Sequence, residues 1–100
     1  MAVELVRKPT TEEVEEICLA AEEAARRELL RKISLKQVSD LDVTVEALGD
    51  KPLTLNVDVG IELIFENEDL QATVNRATDA AFQAAELKAR ELNLCADTRA

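Results

Sequence analysis

Five cations, Arg26, Arg27, Arg31, Lys32 and Lys36, fall within eleven residues and form the densest group of like-charged cations in the chain. Positive charge at this density suits a phosphate backbone, because each neutralised phosphate releases condensed counterions. Glu28 interrupts the group, and no aromatic side chain lies within it to stack on a base. The same residues also complement the negative end of a helix and form ion pairs one turn apart. Both readings stay open: a short polyanion contact, or local helix electrostatics.

The acidic set Asp58, Glu62, Glu66, Glu68 and Asp69 is the one grouping that resembles a metal site. On a strand, carboxylates four residues apart are separated by about 13 Å, whereas one ion holds oxygen ligands at about 2.0–2.6 Å. A solvated polar face is therefore expected, and no metal. The chain has no His, which removes Ser-His-Asp and Cys-His nucleophile systems. Its two glycines, Gly49 and Gly60, do not form a phosphate-binding loop. Cys18 and Cys95 have no second cysteine near either, so neither belongs to a metal or redox spacing. We assign no catalytic residue and no cofactor, and we read the chain as a non-catalytic binding protein.

The elements that position these groups belong to a chain of 100 residues, the size of one domain spanning 1–100. Its apolar share of 47% is that of a globular protein, yet it has two Phe, no Trp and no Tyr. A core of Ala, Val, Leu and Ile gains less per side chain than one with aromatics. A helix or sheet face is therefore expected to be completed by another chain, either a second copy or a paralogous small subunit. The net charge is −9, and it is unevenly placed. Residues 1–36 carry seven basic and eight acidic groups, whereas residues 37–100 carry five and 13. Broad binding of nucleic acid by the isolated chain would work against that charge. Apolar runs are too short for a membrane span, and a cytoplasmic location is expected.

Thr10 and Glu13 have capping-box spacing and open a helix. Val14, Ile17, Cys18, Ala21, Ala25 and Leu29 form its apolar stripe, with pairs expected at Glu22–Arg26, Glu23–Arg27 and Glu28–Lys32. Residues Val3 to Val6 are a short edge-strand candidate. Leu41, Val43, Val45 and Ala47 alternate with polar residues, and Gly49 to Pro52 is turn chemistry. Leu53 to Phe65 then hold a strict period of two, with Gly60 marking a bulge or a close approach. Asn67 is the expected cap of a second helix with Leu70, Val74, Ala77, Ala81, Ala84, Ala85 and Leu92 inward. Residues 93–100 are expected to fray.

The result is an α+β fold, (β)αββα, an antiparallel sheet with two helices packed on one face. The small residues Val14, Ile17, Ala21, Ala25, Val74, Ala77, Ala81 and Ala84 serve either as plain core or as a face that accepts partner helices.

The segment from Leu41 to Ala85 resembles the small Pcc-type subunit of the KEOPS complex, which makes the threonylcarbamoyl modification on an adenosine of transfer RNA. The family pattern is strand, tight hairpin, strand, then a helix opening with Leu-Arg, a hydroxyl or small residue, Val and Asn. Here the strands are Leu41–Glu46 and Leu53–Asp58, and the helix opens Leu70, Gln71, Ala72, Thr73, Val74, Asn75. The whole sequence is also similar to a small archaeal family of unknown function. The resemblance implies a divergent paralogue, a dimer through the sheets, and helices docked on the catalytic subunit of KEOPS. It also implies tRNA contact only within an assembly. Gln71 stands where the family often has Arg, which argues against inherited tRNA contacts. The alternative is a small dimeric protein-interaction module unrelated to RNA.

Overall fold

The computed structural model describes residues 2–3, 5–49, 53–65, 69–92 and 94. In chain order it contains β1 (Ala2–Val3), α1 (Thr11–Lys32), a 3-10 turn (Leu35–Gln37), β2 (Val38–Leu48), β3 (Leu53–Leu63) and α2 (Leu70–Glu91). This is the expected α+β fold. The sheet is antiparallel in the order β1-β3-β2, and the molecule is a two-layer plate of 46 × 29 × 16 Å.

α1 begins where its capping box lies. The Thr10 hydroxyl accepts from the Glu13 amide at 3.1 Å, and the Glu13 carboxylate accepts from the Thr10 amide at 2.9 Å. Two orphan donors are thereby satisfied. The helix ends at Lys32, and a second capping box between Ser34 and Gln37 turns the chain into β2. α2 starts one residue after Asp69, which makes no side-chain cap, while Asn67, the expected cap, lies outside the described residues.

The β2–β3 hairpin pairs Leu48 with Thr54 and runs to Val38 opposite Leu63, longer than alternation alone marks for β2. Its one irregularity lies between Val38 and Asp40 rather than at Gly60. A Cβ added at Gly60 would meet Asp42 at 3.8–3.9 Å, an ordinary contact, so the glycine marks neither a bulge nor a close approach. Gly49, in the turn, does require glycine's freedom, with φ at 80°. β1 is shorter and earlier than Val3–Val6, pairing Ala2 with Thr54 and Val3 with Leu53.

Both helices cover one sheet face. Ile17, Ala21, Ala25 and Leu29 of α1 and Ala77, Ala81, Ala85 and Ala89 of α2 have essentially no exposure. Both stripes repeat every four residues, the spacing of one helical ridge, and alanine lets the two axes approach closely. Thr73, the one buried polar side chain among the described residues, donates to the Asp69 carbonyl at 3.1 Å. On the opposite sheet face Asp42, Thr44, Glu46, Asn56, Asp58, Gly60 and Glu62 are exposed.

The segment before α1 meets the stretch just past α2. The Val6 amide donates to the Leu94 carbonyl at 2.7 Å, and the Leu94 amide to the Ala89 carbonyl at 2.9 Å. Leu94, placed by sequence in a frayed tail, is fully buried and belongs to the core.

Candidate functional site

The five cations of the Arg26 group do not gather into one site. They occupy the last two turns of α1 and the 3-10 turn after it. At 100° per residue, Arg27 and Arg31 share one solvent-facing strip, while Arg26 lies about 100° round the helix. There it pairs with Glu22 at 2.9 Å. Glu28 takes Arg31 at 3.0 Å instead of Lys32, three residues on rather than four. For Arg27, Lys32 and Lys36 no ion pair is seen among the described residues, and all three are exposed. A phosphate backbone could be met by the Arg27–Arg31 strip with Lys32 and Lys36 beyond it; a compact pocket is not built.

The expected helix-docking face is occupied within the chain. Ile17, Ala21, Ala25, Ala77 and Ala81 are fully buried where α1 meets α2, and Val14, Val74 and Ala84 are half-buried beside them. The reason is geometric: each helix spends its small-residue stripe on the other, so no partner helix can reach it. The helix pair instead presents an outer groove lined by Ala20, Ala24, Ala84 and Leu87 together with Glu23, Arg27, Lys88 and Glu91, charges of both signs.

The carboxylates of the sheet stay apart. Among the described residues no three His, Cys, Asp or Glu side chains come together to hold a metal ion. Glu66 and Glu68 lie outside the described residues, as does Cys95. Cys18 is a free, half-buried thiol whose pKa is pushed up by burial. No described helix is long and apolar enough to cross a membrane.

One polar constellation is well built, and it ties the segment before α1 to the stretch just past α2. Arg7 donates to both oxygens of Glu13, at 2.9 and 2.6 Å, and to the Leu92 carbonyl at 2.9 Å. The guanidinium, followed by the Thr10 amide, holds the Glu13 carboxyl down at about 2. Every acceptor is used inside the chain, so the arrangement fastens the start of α1 to the end of α2 rather than offering a ligand site.

The features that sequence reasoning missed are apolar and exposed. Leu35, Ile64 and Phe65 stand 57–75% exposed at the end of the sheet remote from the turn, where the Ile64 amide donates to the Gln37 carbonyl at 2.8 Å. Phe65 continues the period of two, but β3 stops at Leu63 and leaves it outside the core. The signal that could have found them is the run Leu63, Ile64, Phe65, three apolar residues in succession where alternation should put one in water. Beside them the sheet has two open edges. Among the described residues β2 has no partner beyond β3, and β1 pairs with β3 at Leu53 and Thr54.

Fold and surface together define a small two-layer α+β protein with open sheet edges, an acidic outer sheet face and a cationic strip at one helix end. The chain belongs to the family described as "Protein of unknown function (DUF3194)", whose model matches residues 6–88. Two solved structures are similar. One is the solution structure of the hypothetical protein mth677 from Methanothermobacter thermautotrophicus, at 23% identity and a TM-score of 0.71, covering 86% of this chain and 94% of that one. The other is a crystal structure from Thermococcus onnurineus NA1, at 25% identity and a TM-score of 0.72, covering 91% and 88%. No curated protein matches the chain.

Proposed function

We propose that this protein is a non-catalytic interaction subunit, an accessory component of a tRNA threonylcarbamoyladenosine-modifying assembly of the KEOPS type. The observation that carries the interaction reading is the unfinished sheet. Among the described residues it has two open edges, and exposed apolar side chains sit at the end where β3 stops. Unpaired strand edges are templates for another chain. The tRNA part of the reading is supported by the likeness of residues 41–85 to the Pcc-type subunit and by the Arg27–Arg31 strip. The acidic balance of the remaining surface confines any RNA contact to that strip, within an assembly that supplies further cations.

Affinity purification from the native host under mild salt, with mass spectrometry, tests the proposal. Recovery of the KEOPS kinase and transferase subunits is expected. Their consistent absence, with other proteins recovered, overturns the tRNA reading in favour of an interaction module unrelated to RNA. In the reconstituted assembly, replacing Arg27 and Arg31 together with Ala should lower the salt slope of tRNA binding by about two units while leaving assembly intact.

A further inference from the structure

We infer that Phe65 is a stacking platform for an unpaired RNA base, with Lys36, Lys32 and the Arg27–Arg31 strip on the phosphates that flank it. The inference rests on the RNA part of the reading above and supplies the contact that part lacks, since the cationic group holds no aromatic of its own.

The fold brings one to it from the opposite strand. α1 ends at Lys32, and a short link leads to β2, whose first residue, Val38, pairs with Leu63, the last of β3. The cationic end of α1 and the stop of β3 therefore share one end of the molecule. The Ile64 amide donates to the Gln37 carbonyl at 2.8 Å, which continues that pairing by one residue and brings Phe65 level with Lys36. The turn that carries Lys36 is braced: the Ser34 hydroxyl accepts from the Lys36 amide at 3.3 Å, and the Gln37 amide donates to the Ser34 carbonyl at 2.9 Å.

Single-strand binding needs two things together, cations that track the backbone and an aromatic face on which a base stacks. Arg27, Lys32 and Lys36 make no ion pair seen among the described residues, and Arg31 stays exposed beyond its bond to Glu28. Phe65 is 75% exposed, whereas Phe82, the only other aromatic, is half-buried against the core. In a chain of net charge −9, the one exposed aromatic thus stands beside the densest group of cations. Leu35 and Ile64, both exposed, widen the apolar surface there. A duplex offers no free base face, so this chemistry selects unpaired RNA, whose loops and ends present bases to aromatic side chains. A protein partner fits less well, because lysine is depleted at the centre of protein interfaces. Glu66 and Glu68 follow Phe65 in the sequence and oppose phosphate, so the contact made by the isolated chain is weak.

The test titrates the isotope-labelled full chain at low salt with a short single-stranded RNA, and separately with the same RNA as a duplex. The single strand should bind with a Kd on the order of 100 µM and move the amide signals of Lys36, Ile64 and Phe65. Phe65→Leu, at an exposed position, should keep the parent's circular dichroism and thermal midpoint. It should weaken single-strand binding at least about fivefold, and Phe65→Trp should bind at least as tightly as the parent. Lys36→Ala should lower the salt slope by about 0.7. Signals that stay still at millimolar RNA, equal binding of duplex and single strand, or a Phe65→Leu chain that binds like the parent overturns the inference. So does a Phe65→Leu chain that loses a co-purifying protein and keeps its RNA binding, which makes the patch a protein-docking surface. The purification described above is read separately. Phe65-dependent RNA binding without recovered KEOPS subunits sinks the assembly reading alone, and recovered subunits with Phe65-independent RNA binding sink the stacking contact alone.

Discussion

Near the turn β3 is closed, with Leu53 and Leu55 at 1% and 0% exposure in the same core cluster as Leu5, Ile17 and Leu94. Towards the other end, the same alternation leaves Val57, Val59 and Ile61 half-buried and Phe65 in water. The residue types barely differ, so the cause lies in what the helices bring. The core cluster that holds Leu53 and Leu55 also takes large side chains from the N-terminal segment, from α1 and from Leu94, three residues beyond α2. In its first half α2 buries Thr73, Ala77 and Ala81, all short side chains, and Thr73 is engaged with the Asp69 carbonyl of its own helix. A helix that commits its small face to another helix has little left for a sheet. The comparison teaches that alternation sets which face a residue takes, while burial depends on the bulk opposite it.

The sharpest way to break this comparison is a matched pair of charges. Leu55→Asp should unfold the domain, because an unpaired buried carboxylate costs several kcal/mol against a total of about 5–15. Val59→Asp, at a half-buried position, should leave the domain folded at neutral pH, as read by circular dichroism. Equal unfolding by both would mean the far half is as closed as the near one.

A second pair adds volume. Ala81→Leu overfills the helix contact and should cost about 1–3 kcal/mol in a denaturant titration, whereas Val59→Ile should cost less than about 1.

The tie at the turn end gives a smaller, pH-dependent effect. Glu13 titrates near 2 when folded and near its ordinary 4.5 when unfolded. The unfolded chain therefore takes up this proton first as pH falls. The stability from the Arg7–Glu13 pair is full above about 4.5 and is lost as pH drops towards 2. Thermal midpoints of Glu13→Gln should lie below those of the parent above pH 5 and converge with them by pH 2.

The smallest change concerns a surface outside both halves. Removing Arg27 and Arg31 together should alter the stability of the isolated chain by only a few tenths of a kcal/mol per residue.

Much of this was legible beforehand. Thr10 and Glu13 announce the first helix by local chemistry, and the alternation from Leu53 onward can only be a strand. The alanine stripes were equally legible as faces, but a stripe of methyl groups reads the same whether its neighbour is in the chain or in a partner. That is why Ala21, Ala25, Ala77 and Ala81 were open to a docking reading and proved internal. Leu94 was hidden for a related reason: its burial depends on Val6, 88 residues earlier, and no local pattern encodes such a pairing. The strand order, which decides which edge is open, is likewise a property of three segments at once.

The closure of α1 on α2 has a consequence for synthesis. These helices bury each other's alanine stripes, yet α1 ends at Lys32 and α2 at Glu91. At about 5–20 residues per second, α1 waits on the order of 3–12 s before its partner leaves the ribosome. During that wait the stripe from Ile17 to Leu29 is uncovered in the nascent chain, and the β hairpin emerges with no helix pair to settle on. The cotranslational hazard is limited because Ala21 and Ala25, the middle of the waiting face, offer little apolar area between Ile17 and Leu29. The small side chains that let the helices close tightly are also what keeps the first of them from sticking to something else in the meantime.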